Sequence, residues 1–69
     1  MVPAHSEPAR NDPNCEIRVG ESSWDKKAVS IKYAWFVNGR VQRGGEFPIE
    51  ALPQMLEFAI RKGFLTLRP

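Results

Sequence analysis

Hydrophobic and polar residues alternate along Ala28–Val37, the most regular periodic segment of the chain. A period of two is typical of a β-strand whose two faces meet different surroundings. β-Branched and aromatic residues also favour strands, so the segment predicts a long strand that is half buried. One face would carry Val29, Ile31, Tyr33 and Trp35, and the other Ala28, Ser30, Lys32, Ala34 and Phe36.

The chain before this strand divides into two parts. Residues 1–14 contain three prolines and no periodic apolar pattern, so we expect a flexible tail. A short alternation at Cys15–Val19 then predicts a strand with the odd-numbered residues inward. A polar loop carrying Trp24 follows this strand.

Asn38-Gly39 predicts a hairpin that joins the long strand to a basic return strand. A two-residue type I′ turn would place Val41 opposite Phe36, whereas a three-residue loop from Val37 to Gly39 would place Val41 opposite Trp35. We expect the three-residue loop with a left-handed Gly39, because it puts Val41 on the face of the aromatic residues.

An amphipathic helix is predicted after Pro48, whose fixed φ suits a helix start. Pro53 is tolerated because it falls near the first turn. Gly63 would cap the helix in the left-handed conformation, with Phe64 as its hydrophobic contact, and 64–67 would add a short strand or pack back. The apolar residues at helical spacing are Ile49, Leu52, Leu56, Ala59 and Ile60, with Met55 at the edge.

These elements predict an α+β fold: a flexible tail at 1–14, then one β-β-β-α domain at 15–69. Its three antiparallel strands would be covered on the Ile31 and Trp35 face by the C-terminal helix. Such a short chain is only marginally stable alone, so we expect a homodimer. The single Cys15 forms no internal disulfide and favours a reducing, cytoplasmic setting; no membrane span or signal-peptide core is present.

Catalysis is not expected. Nucleophilic mechanisms need a base beside the nucleophile, and the only histidine, His5, lies in the predicted tail. The acidic residues Glu46, Glu50 and Glu57 fit the polar surface of the helix and its approach. No Cys/His spacing indicates a metal site, and Gly44-Gly45 lacks the residues of a phosphate loop. We therefore expect no enzyme activity, no cofactor and no metal.

The cations concentrate on the predicted strands, although the net charge is only +2. A basic, partly aromatic sheet face suits single-stranded nucleic acid, because cations follow the phosphates and rings stack on unpaired bases. The alternative is that these charges only solvate an exposed face. The candidate cations are Lys26, Lys27, Lys32, Arg40 and Arg43, and the candidate stacking rings are Trp24 and Phe36.

Several features of Ser30–Gly63 occur together: the Ile31–Trp35 strand, the Asn38-Gly39 turn, basic residues before a glycine, and a Pro-rich entry into Leu52–Leu56. In this combination the segment resembles the transcriptional-coactivator, positive-cofactor-type family of single-stranded DNA-binding domains. The resemblance implies a curved antiparallel sheet backed by a helix, dimerisation through that helix, and a transcription-associated role. On matching positions it implies strand binding by Lys32, Trp35, Arg40 and Arg43.

A second hypothesis is a small adaptor or regulator that binds another protein. It would use an exposed strand edge, or an apolar helix surface around Met55 and Phe58. A third is a structural dimer with no separate ligand.

Overall fold

The computed structural model describes residues 1–67 and shows an antiparallel sheet followed by one helix. The predicted α+β class is therefore confirmed. Arg68 and Pro69, the end of the predicted 15–69 domain, lie outside the described residues. The elements are β1 (Val2–Pro8), β2 (Cys15–Glu21), β3 (Val29–Val37), β4 (Arg40–Val41), β5 (Glu46–Pro48), a 3₁₀ turn (Ile49–Ala51) and α1 (Leu52–Arg61).

Strand β3 is the centre of the sheet. It pairs with β2 from Cys15 opposite Trp35 to Glu21 opposite Val29. On its other side it pairs with β4 near its C-terminal end and with β5 near its N-terminal end. The long alternating segment thus forms the strand that it predicts, and it organises the other four.

The N-terminal segment is a strand and not the expected flexible tail. Strand β1 pairs antiparallel with β2, with a register shift between Pro3 and His5. Every residue of β1 is exposed, so no hydrophobic alternation could reveal it. An edge strand tolerates Pro3 and Pro8 where the missing N–H would face solvent. With β1 and β5, the sheet has five strands where three were expected.

The hairpin turn has two residues, so the expected three-residue loop is wrong. Val37 pairs with Arg40 and Phe36 with Val41. Asn38 and Gly39 have φ values of 51° and 77°, and a type I′ turn needs a positive φ at both positions. This turn matches the twist of the flanking strands, which outweighs the advantage of placing Val41 beside Trp35.

Gly44 and Gly45 return the chain from β4 to β3. Both have positive φ, 95° and 73°. The Tyr33 N–H donates to the Gly45 carbonyl at 3.1 Å, and a Cβ on Gly45 would lie 2.6 Å from the Tyr33 oxygen. The same Cβ would lie 3.0 Å from the Trp35 ring. Only glycine permits this close approach, after which β5 pairs with β3.

The helix begins and ends much as predicted. Pro48 precedes the 3₁₀ turn, and Pro53 occupies the second position of α1. Gly63, with a φ of 82°, donates to the Ile60 carbonyl, while the Phe64 N–H donates to the Ala59 carbonyl. This pair of bonds is a Schellman cap. Phe64, however, is 90% exposed, so its expected packing contact is wrong, and 64–67 form no strand.

The helix does not cover the sheet. None of the ten residues of α1 is buried, and the helix packs mainly on the 3₁₀ turn before it. The expected burial of the β3 faces is therefore reversed: Ser30 and Ala34 are fully buried, whereas Trp35 is 37% exposed. The alternation assigns residues to shared faces correctly. It does not tell which face another element covers.

Glu46 on β5 ties three parts of the chain together. Its carboxylate accepts hydrogen bonds from the Ser23 N–H at 2.9 Å and the Ser30 hydroxyl at 2.8 Å, and its side chain is only 10% exposed. Burial raises the pKa of Glu46, but these hydrogen bonds more than offset it, so the pKa lies below its ordinary value of 4.5. The ionised carboxylate therefore stabilises the fold.

Replacing Glu46 by glutamine should lower the free energy of unfolding by about 1–3 kcal/mol at neutral pH, because part of the hydrogen bonding is lost. Since folding lowers the pKa of Glu46, its contribution is present at neutral pH and lost as the pH falls through that value. The gap between wild type and Glu46→Gln should thus be full above pH 4.5, the ordinary pKa, and narrow progressively as the pH falls below it. Urea unfolding across pH measures it, with Glu57→Gln on exposed α1 as the control; a constant gap would contradict the prediction.

Replacing Gly20 by alanine should release β1. An added Cβ would clash with the Val2 carbonyl and lie 2.6 Å from the Ala4 nitrogen, both in the backbone of β1. Amide hydrogen exchange should then show faster exchange in residues 2–8, with β2 and β3 little changed. Ser6→Ala, on the exposed surface of β1, is the control; unchanged protection of β1 in Gly20→Ala would refute the close packing.

Candidate nucleic-acid interface

The strand register divides the sheet into two faces of different chemistry, because directly paired residues project to the same side. We call one the cationic face, after its paired Arg18 and Lys32; it also carries Ser6, Glu16, Ser30, Ala34, Phe36 and, opposite Lys32 on β5, Glu46. We call the other the apolar face; it carries Ile17, Val19, Ile31, Tyr33, Trp35 and Phe47.

Arg18 lies at the centre of the cationic face, directly opposite Lys32. Its Nε donates to Glu16 Oε1 at 3.1 Å, and its guanidinium carbon lies 5.5 Å from the centre of the Phe36 ring. Its side chain is 22% exposed, so the group is both held in place and accessible. Sequence reasoning did not name Arg18, although its position between Ile17 and Val19 places it on the face opposite theirs; of the odd-numbered residues expected inward, Cys15 is buried but Ile17 is exposed.

Lys32 is buried in the cationic face and is not the solvent-exposed cation that was expected. The residue is 9% exposed, and its Nζ donates to the Gln42 carbonyl at 2.9 Å. Glu46 pairs with Lys32 across the strands, but its carboxylate binds Ser23 and Ser30. Lys32 thus lies directly opposite Arg18 and forms no ion pair with a carboxylate among residues 1–67.

The other predicted cations are not gathered with Lys32. Arg40 pairs with Val37 and so projects to the side of the apolar face, which corrects its expected place beside Lys32. Arg43 is exposed in the connection between β4 and β5. Lys26 and Lys27 are exposed in the loop between β2 and β3. Of the eight predicted binding residues, the cationic face brings together only Lys32 and Phe36.

Trp24 lies in the same loop as the two lysines and is 52% exposed, as expected for a residue free to contact a partner. The loop is ordered by its own hydrogen bonds. The Ser22 hydroxyl donates to the Asp25 carbonyl at 2.6 Å, and the Ser22 N–H donates to the Ala28 carbonyl at 3.0 Å. Trp24 is therefore presented by a closed turn that Ser23 anchors to Glu46.

The predicted apolar contact residues are exposed. On the apolar face, Trp35 and Tyr33 are open because α1 does not lie over them, and the Asn11 amide donates to the Tyr33 hydroxyl at 3.1 Å. On α1, Met55 and Phe58 are exposed, with the Arg61 guanidinium carbon 5.8 Å from the centre of the Phe58 ring. Both surfaces are suited to contact with another protein.

A pocket of about 510 Å³ adjoins the cationic face at the end near the hairpin turn. Two of its residues, Glu16 and Phe36, are also the contacts of Arg18. Its lining consists of Pro8, Pro13, Asn14, Cys15, Glu16, Phe36 and Gly39. Cys15 is a free, buried thiol.

No group of three or more His, Cys, Asp or Glu side chains in residues 1–67 is arranged to hold a metal ion. The helical segments in this part of the chain are also too short to cross a bilayer.

Comparison with known proteins gives no assignment: no family model, curated protein or solved structure shows a significant match to this chain.

Proposed function

We propose that the chain is a non-enzymatic nucleic-acid-binding module that holds single strands on the cationic face. The observation that carries this proposal is the cross-strand pair of Arg18 and Lys32 with Phe36 beside it. The accessible Arg18 guanidinium attracts phosphate, with the buried Lys32 paired beside it, and release of counterions makes such binding favourable at low salt. A neighbouring ring offers a surface on which an unpaired base stacks.

The arrangement favours single strands over duplexes. Phe36 is only half-exposed, so a base must leave its stack to reach it, which an unpaired strand does at low cost. The Arg18 guanidinium contacts phosphate and does not distinguish base identity, so it imparts little sequence preference. Trp24 with Lys26 and Lys27 would extend the contact if the strand runs toward the loop between β2 and β3.

Replacing Arg18 by glutamine should weaken binding of a short oligothymidylate roughly tenfold at low salt, because one charged contact is lost. The slope of log affinity against log salt should also become shallower by about 0.7. Fluorescence anisotropy of a labelled oligonucleotide measures both quantities. Arg40→Gln is the matched control, because it removes the same charge from the other side of the sheet and should change affinity by less than about twofold.

Equal losses in Arg18→Gln and Arg40→Gln would indicate a general charge effect and contradict a site on the cationic face. Absence of salt-dependent binding in the wild-type protein would remove the proposed function altogether.

A second candidate function, protein binding, is favoured by the exposed apolar surface, and a second copy of the chain is the occupant that we propose. The accessible surface is 5,783 Å², whereas a compact monomer of 7.8 kDa exposes about 4,400 Å². The excess of roughly 1,400 Å² exceeds the ~800 Å² that each partner buries in a standard interface. A homodimer that covers the apolar face and α1 would remove this excess surface from water.

The strand edges are less suited to this role. The outer edge of β1 contains Pro3 and Pro8, which lack the N–H that an added strand would bond. Self-association through side chains of the apolar face and α1 is therefore favoured over strand addition at β1.

Sedimentation velocity should show a dimer for the wild-type chain and a monomer for Leu56→Lys. Leu56 lies on the apolar side of α1 and is 36% exposed, so a lysine there is tolerated by the monomer but costly in an interface. Gln54→Lys, on the polar side of the helix, is the control and should remain dimeric. A monomeric wild type would leave the apolar face to a different protein and contradict the homodimer.

A further inference from the structure

We propose that the pocket beside the cationic face binds one unpaired guanine base. This inference rests on the proposed function, since the strand that supplies the base lies on the cationic face. The pocket volume of about 510 Å³ is within the range of small-molecule sites, about 300–1,000 Å³. A strand whose phosphate contacts Arg18 would have its next base beside Phe36, at the entrance to the pocket.

The walls of the pocket suit a flat ring. Pro8, Pro13 and Phe36 present apolar surface, against which an unstacked base regains the contacts that it loses on leaving the strand. This part of the pocket accepts any base. Selection must therefore come from the polar groups beside it.

Glu16 supplies the selective group. Arg18 Nε binds Oε1 of its carboxylate at 3.1 Å, which fixes the side chain, and no residue of 1–67 donates a hydrogen bond to Oε2. A carboxylate is only an acceptor when ionised. The Watson–Crick edge of guanine presents two adjacent donors, N1–H and the N2 amino group, whereas adenine and cytosine present one amino group and thymine one imide N–H. Guanine is thus the base that a carboxylate binds best.

Two neighbours support this choice. Asn14 lines the same pocket, and the NH₂ group of an asparagine can donate to guanine O6. Arg18 pairs with Glu16 and lowers the repulsion between this carboxylate and the phosphates of the strand. An acidic residue in a nucleic-acid site is otherwise unfavourable, so the ion pair is what allows Glu16 to face the base.

The test compares labelled oligothymidylates of about nine nucleotides that carry a single central guanine, adenine, cytosine or hypoxanthine. The guanine strand should bind about five- to tenfold more tightly than unsubstituted oligothymidylate. Hypoxanthine, which lacks the N2 amino group, should lose most of this gain. The ribonucleotide series should show the same order, because the base edge is common to DNA and RNA.

Glu16→Gln should abolish the preference for guanine, measured within the variant as the ratio of its affinities for the guanine strand and for oligothymidylate, because the neutral amide replaces one acceptor oxygen by a donor. Glu21→Gln, on the same strand but facing the other side, is the matched control and should keep the preference. Asn14→Ala, in the turn before β2, should reduce the preference about two- to threefold through loss of the O6 contact; it tests the pocket independently if Glu16→Gln folds poorly.

The outcomes separate the two proposals. Salt-dependent binding of oligothymidylate with no gain from guanine would overturn the guanine pocket and leave the proposed function standing. A guanine preference that survives in Glu16→Gln would also overturn it. Failure of the wild-type chain to bind any of these strands would remove both.

Discussion

The pairing of β3 on both of its sides is the constraint on which the rest of the structure depends. A strand that is hydrogen-bonded to β2 along one edge and to β4 and β5 along the other has no freedom to slip, because any shift would break bonds with all three. Its alternation therefore sets the chemistry of both faces at once. Arg18 and Lys32 meet on one side only because Ile17 and Tyr33 meet on the other.

The two faces of the sheet differ in how far they are buried. On the cationic face Ser30 and Ala34 are fully buried, and Lys32 is directly opposite Arg18. The apolar face is open to solvent. The Gly44-Gly45 connection and the 3₁₀ turn that follows β5 carry α1 away from it. A chain of this size cannot bury a helix and two sheet faces by itself. Trp35 on the apolar face and Phe58 on α1 consequently remain exposed to water.

Sequence reasoning predicted the elements with strong local signals and failed where long-range packing decides. The period of β3, the proline-rich helix start and the Gly63 cap are local and are all confirmed. Strand β1 is held by backbone bonds to β2, and its exposed side chains leave no periodic trace. The Asn38-Gly39 turn was misjudged because burial of Val41 was given more weight than the backbone preference of the dipeptide.

The candidate site follows the same division. Lys32 and Phe36 share a face, as their spacing in β3 predicts, and Arg18 joins them through the register with β2. Arg40 was assigned to the wrong face because the turn has two residues and not three, and a change of one residue moves Arg40 to the other side of the sheet. The pocket beside Phe36 is lined by residues of β1, of β2, of the connection between them and of the turn between β3 and β4. No local motif predicts such a combination.

The contacts of Glu46 also bear on the order in which the chain folds. Its carboxylate binds Ser30 and Ser23, which are 16 and 23 positions away in sequence. These hydrogen bonds cannot form until the Gly44-Gly45 connection has brought β5 alongside β3. Closing loops of this length costs entropy that only the later contacts repay. The β3–β4 hairpin, joined by two residues, has no such delay. We therefore expect the hydrogen bonds of Glu46 to form late in folding, so that they lower the unfolding rate more than they raise the folding rate.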